Sequence, residues 1–148
     1  WVGAPLDALG VRLTFTALAV VMAQTFIAVP LFVRAAVIGF AAVEPELEDA
    51  AAIDGANGWQ VFRHISLPLA RRSLLTGVAL AWARALGEFG ATILFAGNLP
   101  GRTQTMPLAI YLGFELDMGV AVALSVILVG VSFGVLLLIR GVLGRGEE

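Results

Sequence analysis

Three stretches of the chain stay apolar for long enough to cross a bilayer. A hydrocarbon core about 30 Å thick takes about 20 residues of helix at about 1.5 Å per residue. The first stretch runs from Leu13 to Val33 without a charge and is closed by Arg34, which predicts a span over 11–34. The second runs from Ser73 to Gly97 with Arg84 and Glu88 inside it, a span over 73–97. The third runs from Met118 to Ile139 and is closed by Arg140, a span over 118–140. The apolar run Leu108 to Phe114 is too short to cross. It predicts a short helix over 107–116, started by Pro107, near the interface or dipping into the membrane.

Between the first two spans the pattern changes. Pro45 can open a helix with Glu46, Glu48 and Asp49 in its first turns, where acids suit the helix dipole. Leu47, Ala50, Ala51 and Asp54 recur at helical spacing, so one face is mostly small and apolar. Asp54-Gly55-Ala56-Asn57-Gly58 then breaks the helix. A second short segment carries Trp59 and Phe62, and Ser66-Leu67-Pro68 is expected to start the helix that enters the second span. The loop over 44–68 therefore reads as a compact helix–turn–short helix knob.

Composition agrees with a polytopic membrane protein. Of 148 residues, 59% are hydrophobic and 14% charged, and mean hydropathy is +0.95, far above a soluble domain. Nine arginines, no lysine, eleven acids and one histidine give a net charge of −2, with no basic footprint for nucleic acid. The lack of cysteine excludes disulfides and thiolate chemistry, a single histidine excludes an H-E-x-x-H zinc site, and the lack of lysine excludes a Walker A lysine. If ATP drives this protein, another chain hydrolyses it. The chain opens on Trp1 with no visible signal peptide, and is expected to be the C-terminal part of a longer subunit.

The arginines orient the spans. Arg34, Arg63, Arg71 and Arg72 lie between the first and second, and Arg140 and Arg145 follow the third. Arg12 and Arg102 fall on the opposite side. The positive-inside rule places the 44–68 loop and the C-terminus in the cytoplasm. Gly130 and Gly134 make a small-xxx-small pair expected to form a packing face in the third span.

Read in order, the loop contains Asp49-Ala50-Ala51, three residues, Gly55, nine residues, Ile65, one residue and Leu67-Pro68. This resembles the E-A-A-x3-G-x9-I-x-L-P loop of ABC importer permeases. Only the first position differs, where Asp49 stands for Glu, with Glu48 just before it. A second stretch, Arg84-Ala85-Leu86-Gly87-Glu88-Phe89-Gly90-Ala91-Thr92 followed by Phe95 to Tyr111, resembles the molybdate, tungstate and sulfate permease group. Gly101 and Thr103-Gln104-Thr105 look most like the molybdate type. The resemblance implies an all-α polytopic bundle of the type I importer kind, one transmembrane domain over 1–148, in the cytoplasmic (inner) membrane. It implies a coupling site at Glu48, Asp49, Ala50, Ala51, Asp54, Gly55, Ile65, Leu67 and Pro68, docked on an ATP-binding cassette subunit. It further implies a second permease copy as a homodimer and an extracytoplasmic oxyanion-binding protein. No cofactor is expected on this chain, ATP being used by the partner subunit.

Arg84 and Glu88 are four residues apart, so a continuous helix would put them on one face with Gly77, Ala81 and Ala91 or Thr92. Charges inside a membrane face protein or water and seek partners. Two readings are open: a structural ion pair that locks the helix, or an arginine that draws an oxyanion into the path while Glu88 limits how tightly it is held. Asn98, Arg102, Thr103 and Thr105 belong to a turn at the external mouth, either a gate and docking surface or a connector. The rival class is a gradient-driven secondary transporter or channel without an ATPase partner, which has no use for such a cytoplasmic loop.

Overall fold

Every regular element among the described residues, 14–144 of this computed structural model, is helical. In chain order they are α1 (Ala17–Ala41), α2 (Pro45–Ile53), α3 (Gly58–Val61), a π-helical turn (Phe62–Ser66), α4 (Leu67–Leu86), α5 (Gly90–Ala96), α6 (Met106–Leu116) and α7 (Met118–Gly144). Residues 11–13 of the first expected span, Arg12 and Arg145 lie outside the described residues.

Helix α1 runs past Arg34, because one exposed arginine does not stop a helix of alanine, valine and leucine. It ends ahead of Pro45: Glu44, the residue before that proline, is extended at φ −68° and ψ 123°, as steric contact with the proline ring favours. Helices α1 and α7 are long and apolar enough to cross a membrane, with mean hydropathy of 1.9 and 2.8 in their most apolar windows. Their side chains stay largely uncovered, among them Phe26, Val37 and Ile38 on α1 and Phe133, Leu137 and Leu138 on α7. In water this would be an aggregating surface; within a bilayer it suits lipid or further helices.

The second expected span departs from its pattern in two ways. Its helix does not start at Ser66–Pro68 but continues unbroken from Gly58, through the π turn, to Leu86. Pro68 explains the wider turn. It has no N–H for the His64 carbonyl, and its ring would crowd that carbonyl in an α-helix. The backbone instead steps to a five-residue bond, Leu67 N–H to Phe62 O. At the other end the 73–97 window is not one helix. It breaks at 87–89, and the axis turns by 60° between the helix ending at Leu86 and α5.

The described residues fall into two compact units. One holds the residues up to Ala28 together with Ala83–Gly134; the other holds Val29–Trp82 with those from Val135 onward. In the second unit, α1 and α4 approach through small residues. A methyl group at Gly39 would lie 2.5 Å from Ser73 Cβ, and one at Gly77 would lie 2.7 Å from Ala35 Cβ. A methyl group at Gly130 or Gly134, the pair expected to pack, would meet nothing from another element within 4 Å among the described residues. In the first unit, α6 turns tightly into α7. Gly113 sits against Ala121, and Asp117 Oδ1 accepts the Gly119 and Val120 N–H groups at 2.8 and 3.3 Å, capping α7.

Candidate functional site

The 44–68 loop is built from complementary end signals. Helix α2 closes in a Schellman motif: Gly55 N–H donates to Ala52 O at 3.0 Å and Ala56 N–H to Ala51 O at 3.0 Å. This closure needs a left-handed residue, and Gly55 has φ +92°. The next helix opens two residues later with a capping box. Asn57 N–H donates to Gln60 Oε1 at 2.8 Å, and Gln60 N–H donates to Asn57 Oδ1 at 3.0 Å. The four-residue break Asp54–Asn57 is thus a defined corner.

Long-range contacts close the knob. Ser66 Oγ donates to Glu48 Oε1 at 2.6 Å, tying α2 to the π turn across eighteen residues. Phe62 stacks on Phe40 at 5.9 Å and on Trp59 at 5.6 Å between ring centroids, joining the knob to the end of α1. Asp49, Ala50, Asp54, Gly55, Leu67 and Pro68 are exposed, and Ala51, Ile65 and Glu48 are half-buried. The sequence-expected coupling residues therefore share one small structure, with Asp49 and Asp54 on its outside and Glu48 turned inward. Ile53 and Trp59 add large apolar side chains to its outer surface, 86% and 65% exposed. His64 is exposed, with Nδ1 3.0 Å from Gln60 O.

Arg84 and Glu88 do meet: Arg84 Nη1 lies 2.7 Å from Glu88 Oε2. The geometry is not that of one continuous helical face, because the helix ends between them. Glu88 Oε1 accepts the Ala91 N–H at 2.7 Å, so the same carboxylate caps the first turn of α5. Glu88 is 4% exposed, whereas the Arg84 side chain is 44% exposed. Phe89 packs edge-on against Tyr111 at 5.3 Å.

The 98–105 turn is knotted around Leu99. Its carbonyl accepts the N–H groups of Arg102, Thr103 and Gln104 at 3.0, 3.0 and 3.1 Å, while its own N–H donates to Thr103 Oγ1 at 3.0 Å. Thr103 is buried and Arg102 exposed. Thr105 occupies the cap position of α6 without making the side-chain cap bond. Thr105 Oγ1, Asn98 Oδ1 and Thr92 Oγ1 are buried oxygens without a hydrogen-bond partner among the described residues. Thr103 is thus an anchor of the turn, and Arg102 is its outward charge.

Reading residues along the chain gave Ser66 only as a helix start and assigned no role to Gln60 or Leu99. The spacing Asn57-x-x-Gln60 was a readable capping-box signal. Nothing local marks Ser66 or Leu99. The loop residues belong to one compact unit, and Arg84, Glu88 and the 98–105 turn to the other.

Comparison with known proteins places this architecture. Residues 6–142 match the model of the binding-protein-dependent transport system inner membrane component. A Bacillus subtilis protein named as a molybdenum transport system permease, YvgM, is 52% identical over 129 residues, 85% of this chain and 56% of its own length. The molybdenum transport system permease protein ModB of Escherichia coli is 44% identical over 105 residues, 71% of this chain and 46% of its own. A protein of Anthoceros angustus named as a sulfate transport system permease, cysT, is 40% identical over 143 residues, 96% of this chain and 50% of its own. The chain spans about half the length of the curated relatives it matches. With this match over nearly its whole length, the chain belongs to the binding-protein-dependent inner membrane components, the permeases of ABC importers.

Proposed function

We propose that the protein carrying this chain moves an oxyanion inward through the membrane, molybdate first and tungstate or sulfate next, as the non-catalytic permease of an ATP-driven importer. The relatives named for molybdenum and for sulfate support the anion class. ATP hydrolysis belongs to a separate cassette subunit, and a binding protein delivers the anion from outside. A second permease copy completes the path.

One observation carries the coupling reading: the E-A-A-spaced loop is a closed, cross-tied body. Motion of a separate ATPase has to cross a noncovalent interface, and a short helix tied at its end and along its side transmits a push that a loose loop would absorb. Helix α2 is fixed at its C-terminal end by the Gly55 closure and along its side by the Glu48–Ser66 bond. The π turn and α4 then carry displacement of the knob into the second span without an intervening loop. The exposed side chains of Asp49, Asp54 and Ile53 form the contact surface for the cassette subunit. Arg84, half-exposed beside Glu88, also offers a planar donor group to a passing oxyanion.

The test is purification of the complete permease from detergent-solubilised membranes, followed by ATPase assay with molybdate, tungstate, sulfate and phosphate and the cognate binding protein. Co-purification of a cassette ATPase stimulated by one oxyanion is the expected result, and the stimulating anion names the cargo. A permease that transports without any ATPase partner overturns the proposal in favour of a gradient-driven transporter.

A further inference from the structure

The break in the second span coincides with its two charges, and the geometry shows why. Arg84 lies in the last turn of α4, and Glu88 lies just ahead of α5. A helix C-terminus favours a cation and an N-terminus an anion. Unbroken, the helix would hold both charges in its interior; broken, each charge sits at the end that suits it. Gly87 and Gly90 flank the site and lower the cost of interrupting the helix. The carboxylate then bridges the two sides, with Oε2 on Arg84 and Oε1 on the Ala91 N–H, both at 2.7 Å. Glu88 is 4% exposed, so both of its oxygens are engaged in a place where an unpartnered charge would be costly.

We infer that Glu88 is a positioning residue that fixes the break of the second span, holding the end of α4 and the start of α5 in their bent relation through one carboxylate. Its part in transport rests on the permease reading; its part in the bend does not.

The experiment uses the complete permease with its ATPase partner in lipid nanodiscs, spin-labelled at Ala83→Cys and Leu94→Cys, both exposed positions. Straightening the 60° bend lengthens the axial separation of these sites by about 2 Å, and a loose break widens the distribution. Glu88→Ala, which loses both contacts, is expected to lengthen or widen it. Glu88→Gln keeps an acceptor for Ala91 and is expected to give a smaller change, while Glu88→Asp recovers part of the native distribution. Maximal transport rate should fall several-fold in Glu88→Ala with half-saturation unchanged. An unaltered distribution in inserted, assembled Glu88→Ala and Glu88→Gln overturns the inference, even if transport falls. Absence of transport in the unsubstituted complex would strike the permease reading instead, and the label distance would still judge Glu88.

Discussion

Ser66 donates its hydroxyl to Glu48 across eighteen residues at 2.6 Å, and this bond decides which acid of the loop is structural and which is surface. Glu48 is engaged inside the knob, and Asp49 and Asp54 stay exposed. Ser66 is itself 6% exposed, so its hydroxyl has little access to water. Ser66→Ala should therefore loosen α2 from the π turn by about 1–2 kcal/mol, the range of a hydrogen bond to a charged acceptor that regains some water. The expected signature is faster proteolysis of 44–68 and reduced oxyanion-stimulated ATPase, with basal ATPase and membrane insertion unchanged. Unaltered proteolysis would deny the bond its structural role.

The corner at Gly55 makes a second, sharper case. Its φ of +92° is poor for any residue with a Cβ, yet nothing among the described residues lies within 4 Å of where that Cβ would go. The penalty of Gly55→Ala is then backbone strain alone, about 1 kcal/mol. Gly55→Asn should be milder because asparagine tolerates the left-handed region. Gly55→Trp and Asp54→Arg alter the exposed surface as well and should cut stimulated ATPase most. The order Asn, Ala, Trp in loss of stimulation, measured in the assembled complex, is the expected outcome. Equal stimulation in all three would remove the loop from coupling.

The spans were legible because the bilayer sets their length, and a run such as Met118–Ile139 has no other economical home. The knob was legible from Pro45, the Asp54–Gly58 breaker run and the E-A-A spacing. An apolar window could not reveal the break at 87–89. Hydropathy averages over Gly87, Glu88 and Gly90, whereas the break depends on where one carboxylate finds its two partners. The i, i+4 rule paired Arg84 with Glu88 correctly but implied a continuous helix that the structure lacks. Glycine spacing likewise drew attention to Gly130 and Gly134, while the close approach falls at Gly39 and Gly77, whose small partners Ser73 and Ala35 lie far away in sequence.

The Arg84–Glu88 pair gives opposite outcomes for a simple ion pair and for a capped break. Arg84→Ala strands a buried carboxylate and should lower assembly or transport by about 2 kcal/mol, less than for a fully buried pair because Arg84 is half-exposed. Adding Glu88→Ala should restore part of the assembly by removing the stranded charge. The double exchange R84E/E88R keeps an attractive pair but puts each charge at the wrong helix end and leaves the Ala91 N–H without its acceptor. It should rescue less than the double alanine. Full recovery on exchange, read by complex yield and transport together, would mean that pairing alone matters.

In and beside the 98–105 turn, two positive-φ glycines differ in what an added side chain would meet. Gly97 has φ +73° and Gly101 has φ +75°. A methyl group at Gly101 meets nothing within 4 Å among the described residues, whereas one at Gly97 falls 2.8 Å from Phe15 Cδ1 and 3.0 Å from Cε1. Gly101→Ala should destabilise by about 1 kcal/mol through φ alone. Gly97→Ala should cost more, about 2–4 kcal/mol, because its ψ of −165° lies in an essentially glycine-only region and its methyl group displaces an aromatic ring. Trimming the ring in Phe15→Leu should relieve Gly97→Ala and leave Gly101→Ala as it was. Thermal unfolding of the detergent-solubilised permease reads all four variants on one scale. A Gly97→Ala loss that Phe15→Leu leaves unchanged would show that the ring yields without cost and that backbone strain accounts for the whole effect.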